Sequence, residues 1–569
     1  MASLTREDAT RRSDAADVRA SVAGAGWFWP TGALAIAVLV SVPTVAITVM
    51  ALFPTENVWG HLASTVLPVY IASTVSLMVL VGIGVLVLGT TTAWLVAMCR
   101  FPGRKIFQWA LFLPLAMPAY VIAYTYTDLL EYAGPVQGTL RDMFGWKIKA
   151  DYWFPEIRSL GGAAAMLILV LYPYVYAMAR AAFLEQSVCV LEASRVLGRT
   201  PWRAFREVAL PLARPAIVVG TTLALMETLN DFGTVDFFAV QTLTAGVFDV
   251  WFGMGNPGGA AQIALVMLGF VVLLLWFERS SRARQRFHHT TTRIRHLPGH
   301  ELAGWRRVGA MLVCGLPVLL GFLVPASVLA GYALDNFDQQ LSGDYAKLVA
   351  NSLGLAGVAA IAAVSLAAFL AYAIRLRPVP VVRAIVRLAT IGYAIPGAVL
   401  AIGVMLPTAG VDNWLDGLMR QWFGVSTGLL FSGTVFILVV AYTVRFLAMS
   451  FGAIESGLSK VTANMDMAAR TLGHGPTATL ARVHLPLIRG SALTGGVLVF
   501  VDTMKELPAT LVLRPFNFDT LATYVYQFAS DELLEECALA ALTIVAAGIL
   551  PVILLSRAIS TARPSGEGQ

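Results

Sequence analysis

The chain has 569 residues, of which 57% are hydrophobic and only 13% charged, with a mean hydropathy of +0.73 and a formal net charge of +6. Soluble chains carry about 25% charged residues, and here apolar runs of about 18 or more residues recur along the whole length. The composition excludes a soluble globular enzyme and indicates an all-α polytopic membrane protein.

Residues 1–26 mix Arg6, Arg11, Arg12 and Arg19 with Glu7, Asp8, Asp14 and Asp17. They read as a solvated tail rather than a signal peptide, because Trp27-Phe28-Trp29 leads into a full-length span. Six spans are expected near 31–53, 69–98, 106–130, 160–183, 215–232 and 260–278. A basic linker, 279–307, follows; it carries Arg279, Arg282, Arg284, Arg286, Arg293, Arg295, Arg306 and Arg307 against one acid, Glu301. Six more spans are expected near 308–333, 347–374, 384–408, 431–454, 490–513 and 536–556, with 557–569 as a second tail. The total is about twelve transmembrane helices, six in each half.

The basic loops fall on one side of such an arrangement. Arg100, Arg104 and Lys105 follow the second span, Arg375, Arg377, Arg383 and Arg387 its counterpart, whereas loop 231–258 has Asp231, Asp236 and Asp249 and no Lys or Arg. The positive-inside rule then predicts a cytoplasmic linker and two cytoplasmic termini. The positive excess is a topology signal, and no nucleic-acid partner is read from it. Cys99, Cys189, Cys314 and Cys537 are far apart and suggest neither a disulfide framework nor a zinc site.

The halves repeat. Glu192-Ala193-Ser194, three residues, Gly198, nine residues and Val208-Ala209-Leu210-Pro211 return 275 positions later as Met467-Ala468-Ala469, Gly473 and Val483-His484-Leu485-Pro486. Ala116-Met117-Pro118-Ala119 matches Ala394-Ile395-Pro396-Gly397. Each polar segment reads as helix, break, helix. A glycine ends the first helix, a proline (Pro201, Pro476) opens the second, and Pro211 or Pro486 is expected to stop it at the membrane surface.

This spacing resembles the EAA loop of bacterial ABC importer permeases, and the resemblance covers essentially the whole chain. It implies two tandem six-helix permease domains, 27–278 and 308–556, in one multi-pass inner-membrane protein. The resemblance assigns ATPase coupling to Glu192, Ala193, Ser194, Gly198, Leu210 and Pro211, and to Met467, Ala468, Ala469, Gly473, Leu485 and Pro486. Met467 stands where an acid is expected, with Asp466 one residue earlier, so the two docking sites need not be equivalent. No lysine follows a glycine, so the chain has no P-loop lysine of its own. The resemblance implies a transport subunit rather than an enzyme, with no cofactor bound by this chain. ATP would be used by two copies of a partner ATPase, and a periplasmic binding protein would deliver the substrate; membrane lipid completes the surroundings.

Charged residues mark the ends of the two fifth spans. Glu227, Asn230 and Asp231 in one half, and Asp502, Lys505 and Glu506 in the other, are candidates for the substrate path. Charges inside a membrane are expensive and face the bundle interior or water, so an ion-pair network is the alternative reading. The strings 227–238 and 505–522 resemble those of ferric-iron importer permeases, which implies ferric iron as the substrate. An acid-rich outer mouth (Asp231, Asp236, Asp249, Asp519, Asp531, Glu532, Glu535, Glu536) would suit a cation, although no metal site is assigned. The alternatives are thiamine or a phosphonate-type substrate on the same architecture, and an ion-coupled secondary transporter.

Overall fold

The computed structural model describes residues 27–185, 201–283, 300–341 and 343–561. Apart from a short parallel pairing of Cys99–Arg100 with His300–Glu301, the regular structure among the described residues is helical. The principal helices of the first half are α1 (Phe28–Leu52), α2 (Leu67–Met98), α3 (Arg104–Ala110), α4 (Ala119–Leu130), α5 (Pro135–Phe144), α6 (Leu160–Glu185), α7 (Pro201–Ala204), α8 (Leu210–Asn230), α9 (Gly233–Phe237), α10 (Leu243–Phe248) and α11 (Pro257–Ala283). Those of the second are α12 (Trp305–Val318), α13 (Val324–Asp335), α14 (Gly343–Leu376), α15 (Pro380–Ala389), α16 (Gly397–Phe423), α17 (Val435–Ser459), α18 (Ala463–Thr471), α19 (Pro476–Thr479), α20 (Leu485–Met504), α21 (Pro508–Leu513), α22 (Leu521–Ser530) and α23 (Leu534–Thr561). Among the described residues, eleven helices are long and apolar enough to cross a membrane, or up to twelve if one sharply bent pair is a single span. The all-α polytopic class is as expected.

The chain forms two compact units that cut across the repeat. Among the described residues, the smaller takes in those up to Ala46, with Gly354–Ile395 and Gly403–Thr503; the larger takes in those between Ile47 and Leu353, with Pro396–Ile402 and those from Met504 onward.

In the larger unit α2, α6 and α8 approach closely. A Cβ on Gly89 would stand 2.8 Å from Tyr172 O, and one on Gly220 would stand 2.8 Å from Val175 Cα, so both positions demand glycine. The same unit holds α12 and α13 against the first half: Tyr126 Oη donates to Leu320 O at 2.7 Å, and Tyr332 Oη donates to Asp128 Oδ2 at 2.5 Å. In the smaller unit α17 meets α20 at Gly495, where a Cβ would lie 3.1 Å from Ser450 Cα. Gly495 and Ser450 each stand 275 positions after Gly220 and Val175, so one close crossing is used twice. The start of α1 also packs in this unit, with the Trp29 ring 4.7 Å from Phe369 and 4.9 Å from Tyr372.

Two expectations about spans need correction. The third span of the first half is not one helix: it breaks at Met117-Pro118 with a bend of 89°. The counterpart breaks at Ile395-Pro396, and α16 then runs to Phe423, well past the expected end at 408. The residue before a proline is pushed out of the helical region, and Met117 (φ −85, ψ 119) and Ile395 (φ −81, ψ 121) are both extended. Secondly, Pro211 and Pro486 do not stop a helix. Each lies in a continuous span, Phe205–Asn230 and Pro476–Met504. A π turn precedes each proline, Phe205–Ala209 and Leu480–His484, closed by Leu210 N–H to Phe205 O and Leu485 N–H to Leu480 O. The widened turn accommodates a residue that has no N–H and whose ring crowds the preceding turn.

Candidate functional site

The second elbow is described in full and lies within the smaller unit. Thr462 precedes α18, and Gly473 ends it in the left-handed conformation (φ +78) that favours glycine. Gly473 N–H donates to Arg470 O at 2.9 Å and His474 N–H to Ala469 O at 3.0 Å, the paired bonds of a Schellman stop. Gly475 then caps α19 with Pro476 in its first turn. Ala469 is buried beneath the elbow, while Met467 is 49% exposed and Leu472 75% exposed. Leu485 and Pro486 are exposed at the root of α20. In the first elbow Glu192, Ala193, Ser194 and Gly198 lie outside the described residues; Pro201 opens α7, Leu210 is half-buried and Pro211 exposed.

The fifth spans end in the same local device. Asp231, just past α8, accepts from Thr234 N–H at 3.1 Å, Val235 N–H at 3.2 Å and Thr234 Oγ1 at 3.0 Å, capping α9. Glu506 accepts from Ala509 N–H at 3.2 Å, Thr510 N–H at 3.4 Å and Thr510 Oγ1 at 3.2 Å, capping α21. A carboxylate at a helix start satisfies donors that have no partner in the helix. Pairing these two acids by sequence offset therefore matches a shared geometry. Asn230 acts differently, since its Oδ1 accepts from Gly397 N–H, at the start of α16, at 2.7 Å. Nothing in the sequence marked that contact. Glu227, Asp502 and Lys505 are each half-buried.

The segments beyond these caps are packed, not open loops. Thr242 and Thr520 cap α10 and α22 through Ala245 N–H and Thr523 N–H. Thr74 Oγ1 and Ser352 Oγ receive Leu243 N–H at 2.9 Å and Leu521 N–H at 2.8 Å. Several acids read as an outer mouth are engaged by the chain itself. Asp236 accepts from Tyr526 Oη at 2.7 Å and Asp249 from Tyr70 Oη at 3.2 Å; Glu532 pairs with Arg158 at 2.7 Å, and Asp519 pairs with Arg514. Among the described residues no three His, Cys, Asp or Glu side chains group as a metal would need.

Long apolar helices, a doubled close crossing and a doubled π turn ahead of Leu-Pro define a multi-span membrane protein built from a repeat. Residues 86–286 match the model of the binding-protein-dependent transport system inner membrane component. The chain is 25% identical over 492 residues to the Fe(3+)-transport system permease protein FbpB 2 of Haemophilus influenzae, covering 86% of this chain and 89% of that one. It is 30% identical over 206 residues to the molybdenum transport system permease protein ModB of Escherichia coli, covering 34% of this chain and 86% of the relative. It is 28% identical over 205 residues to the putative 2-aminoethylphosphonate transport system permease protein PhnU of Salmonella typhimurium, covering 35% and 70%.

The chain belongs to the family of binding-protein-dependent transport inner-membrane components. It is a fused, multi-pass inner-membrane permease subunit of an ABC importer, a transport subunit rather than an enzyme. Membership of the family implies an ATPase and a binding protein as partners.

Proposed function

We propose that this permease moves ferric iron from a periplasmic binding protein into the cytoplasm by alternating access. The observation that carries the reading is the extent of the likeness to the Fe(3+) permease, which covers 86% of the chain and so runs through both halves, whereas the molybdenum and phosphonate permeases match 34% and 35% of it. The repeat halves 27–278 and 308–556 act as the two permease domains, with the linker and both termini in the cytoplasm. Two ATPase subunits and one binding protein engage the single chain, which itself binds no cofactor. Each elbow meets one ATPase subunit, and exposed Met467 and Leu472 are the apolar contacts the second elbow offers. Glu227, Asn230, Asp231, Asp502, Lys505 and Glu506 line the substrate route at the fifth-span ends.

Uptake of labelled ferric iron, thiamine, molybdate and 2-aminoethylphosphonate by cells with and without the chain tests the substrate. Chain-dependent iron uptake that collapses on ATP depletion is expected. Transport of another compound with no iron signal would keep the permease and overturn its cargo.

A further inference from the structure

The second elbow lacks the acid that the first carries at Glu192, and Asp466 stands one residue before the replacement, Met467. Its carboxylate is held from two sides. Arg375, at the end of α14, donates through Nε to Oδ2 at 3.0 Å and pairs through a second nitrogen at 2.9 Å. The same guanidinium donates to Leu458 O at 2.7 Å and Val461 O at 2.8 Å, where α17 runs out toward the elbow. On the other side His484 Nε2 donates to Asp466 Oδ1 at 2.5 Å. A carboxylate only accepts, which fixes the direction of that bond.

His484 is the last residue of the π turn and is 1% exposed. Its ring stands edge-on to Tyr372 at 5.4 Å, and Tyr372 Oη donates to Pro476 O at 2.7 Å. One carboxylate thus gathers the end of α14, the elbow helix α18 and the root of α20. A solvated ion pair on an elbow would be worth little, but these partners are largely or wholly withdrawn from water and their bonds are charge-assisted. The corresponding positions in the first half are Leu191 and Ala209, which cannot form the pair.

We propose that Asp466 is the positioning residue of the second elbow: it fastens α18 to Arg375 and His484, so that displacement of the elbow reaches α14 and α20 together. The Asp466–His484 pair has no counterpart at the matching positions of the first half, Leu191 and Ala209. The inference rests on the reading of the elbows as the ATPase contact, and it assigns to Asp466, acting through His484 and Arg375, the role that Met467 cannot fill.

The test uses the full chain in lipid nanodiscs and, with its ATPase and binding protein, in proteoliposomes. In Asp466→Asn, amide exchange over 463–473 should quicken about tenfold while 437–447 in α17 stays as in the parent chain. Uptake per ATP hydrolysed should fall about fivefold with hydrolysis itself kept. His484→Ala should reproduce both changes, and Asp466→Glu should restore part of each. Unchanged exchange over 463–473, or uptake and hydrolysis falling in step, would overturn the anchor. Should Asp466→Asn fail to insert, Arg375→Lys, which keeps the charge and loses the paired geometry, carries the same expectations. A parent chain without ATP-driven uptake, in which exchange still responds to Asp466→Asn, would sink the importer reading and leave the anchor standing.

Discussion

The roots of the two elbows share a backbone turn and differ in the residue that ends it. Both lead through a π turn into a span carrying Leu-Pro, at Phe205–Ala209 and at Leu480–His484. The last residue of the turn is Ala209 in one and the buried His484 in the other, and only the latter can bond an acid. The fifth-span ends repeat the lesson. Asp231 and Glu506 cap equivalent short helices, yet the preceding residue is Asn230 in one half and Lys505 in the other. Asn230 accepts an N–H from Gly397, and a lysine ammonium has no lone pair with which to do the same. Duplication conserved the backbone devices, while polar side chains were free to specialise by half.

The largest effect is expected where the backbone device itself is removed. Gly473→Pro forces φ from +78 to near −65 and deletes the bond to Arg470 O, at a local cost of about 3 kcal/mol or more. Uptake per inserted chain should fall by about tenfold or more, and normal uptake would show that the elbow stop is dispensable. Next come the caps. Loss of a side-chain acceptor for first-turn N–H groups costs about 0.5–2 kcal/mol, and Glu506→Ala should sit at the upper end because Glu506 is only 5% exposed. Asp231→Ala, at a half-buried site, should cost less in thermal stability, and equal losses would break the ranking.

Asn230→Ala should cost about 1 kcal/mol by orphaning Gly397 N–H, with Asn230→Asp retaining most of the stability because an acceptor remains. The smallest effect belongs to Pro486→Ala, expected within about 0.5 kcal/mol of the parent, since the π turn already accommodates the ring. A large loss there would mean that the proline itself shapes the root of α20.

Much of this was legible in the chain. Apolar runs located the spans, because a membrane helix needs length and little else. The repeat pointed to the second elbow, where Gly473 and Pro476 announced a stop and a start that the structure places where expected. The prolines were harder to read. Pro118 and Pro396 break their spans, yet Pro211 and Pro486 do not, and the difference lies in a π turn that no side-chain pattern announces. The short helices α9, α10, α21 and α22 were hidden for a related reason. Helices of five to ten residues show barely a full turn or two of periodicity, and buried Thr and Ser side chains fix them more than amphipathicity does. The Asp466 cluster joins Asp466 to residues 91 and 18 positions away, and Asp466 and His484 differ from Leu191 and Ala209 at the matching positions of the first half, so offset alone could not reveal it.

The most direct measurement is ATP-driven accumulation of ferric iron in proteoliposomes holding the chain, its ATPase and an iron-loaded binding protein. Accumulation is expected to require ATP and the binding protein, and to disappear in Gly473→Pro while hydrolysis continues. Accumulation that persists without ATP, or that survives Gly473→Pro unchanged, would contradict this expectation.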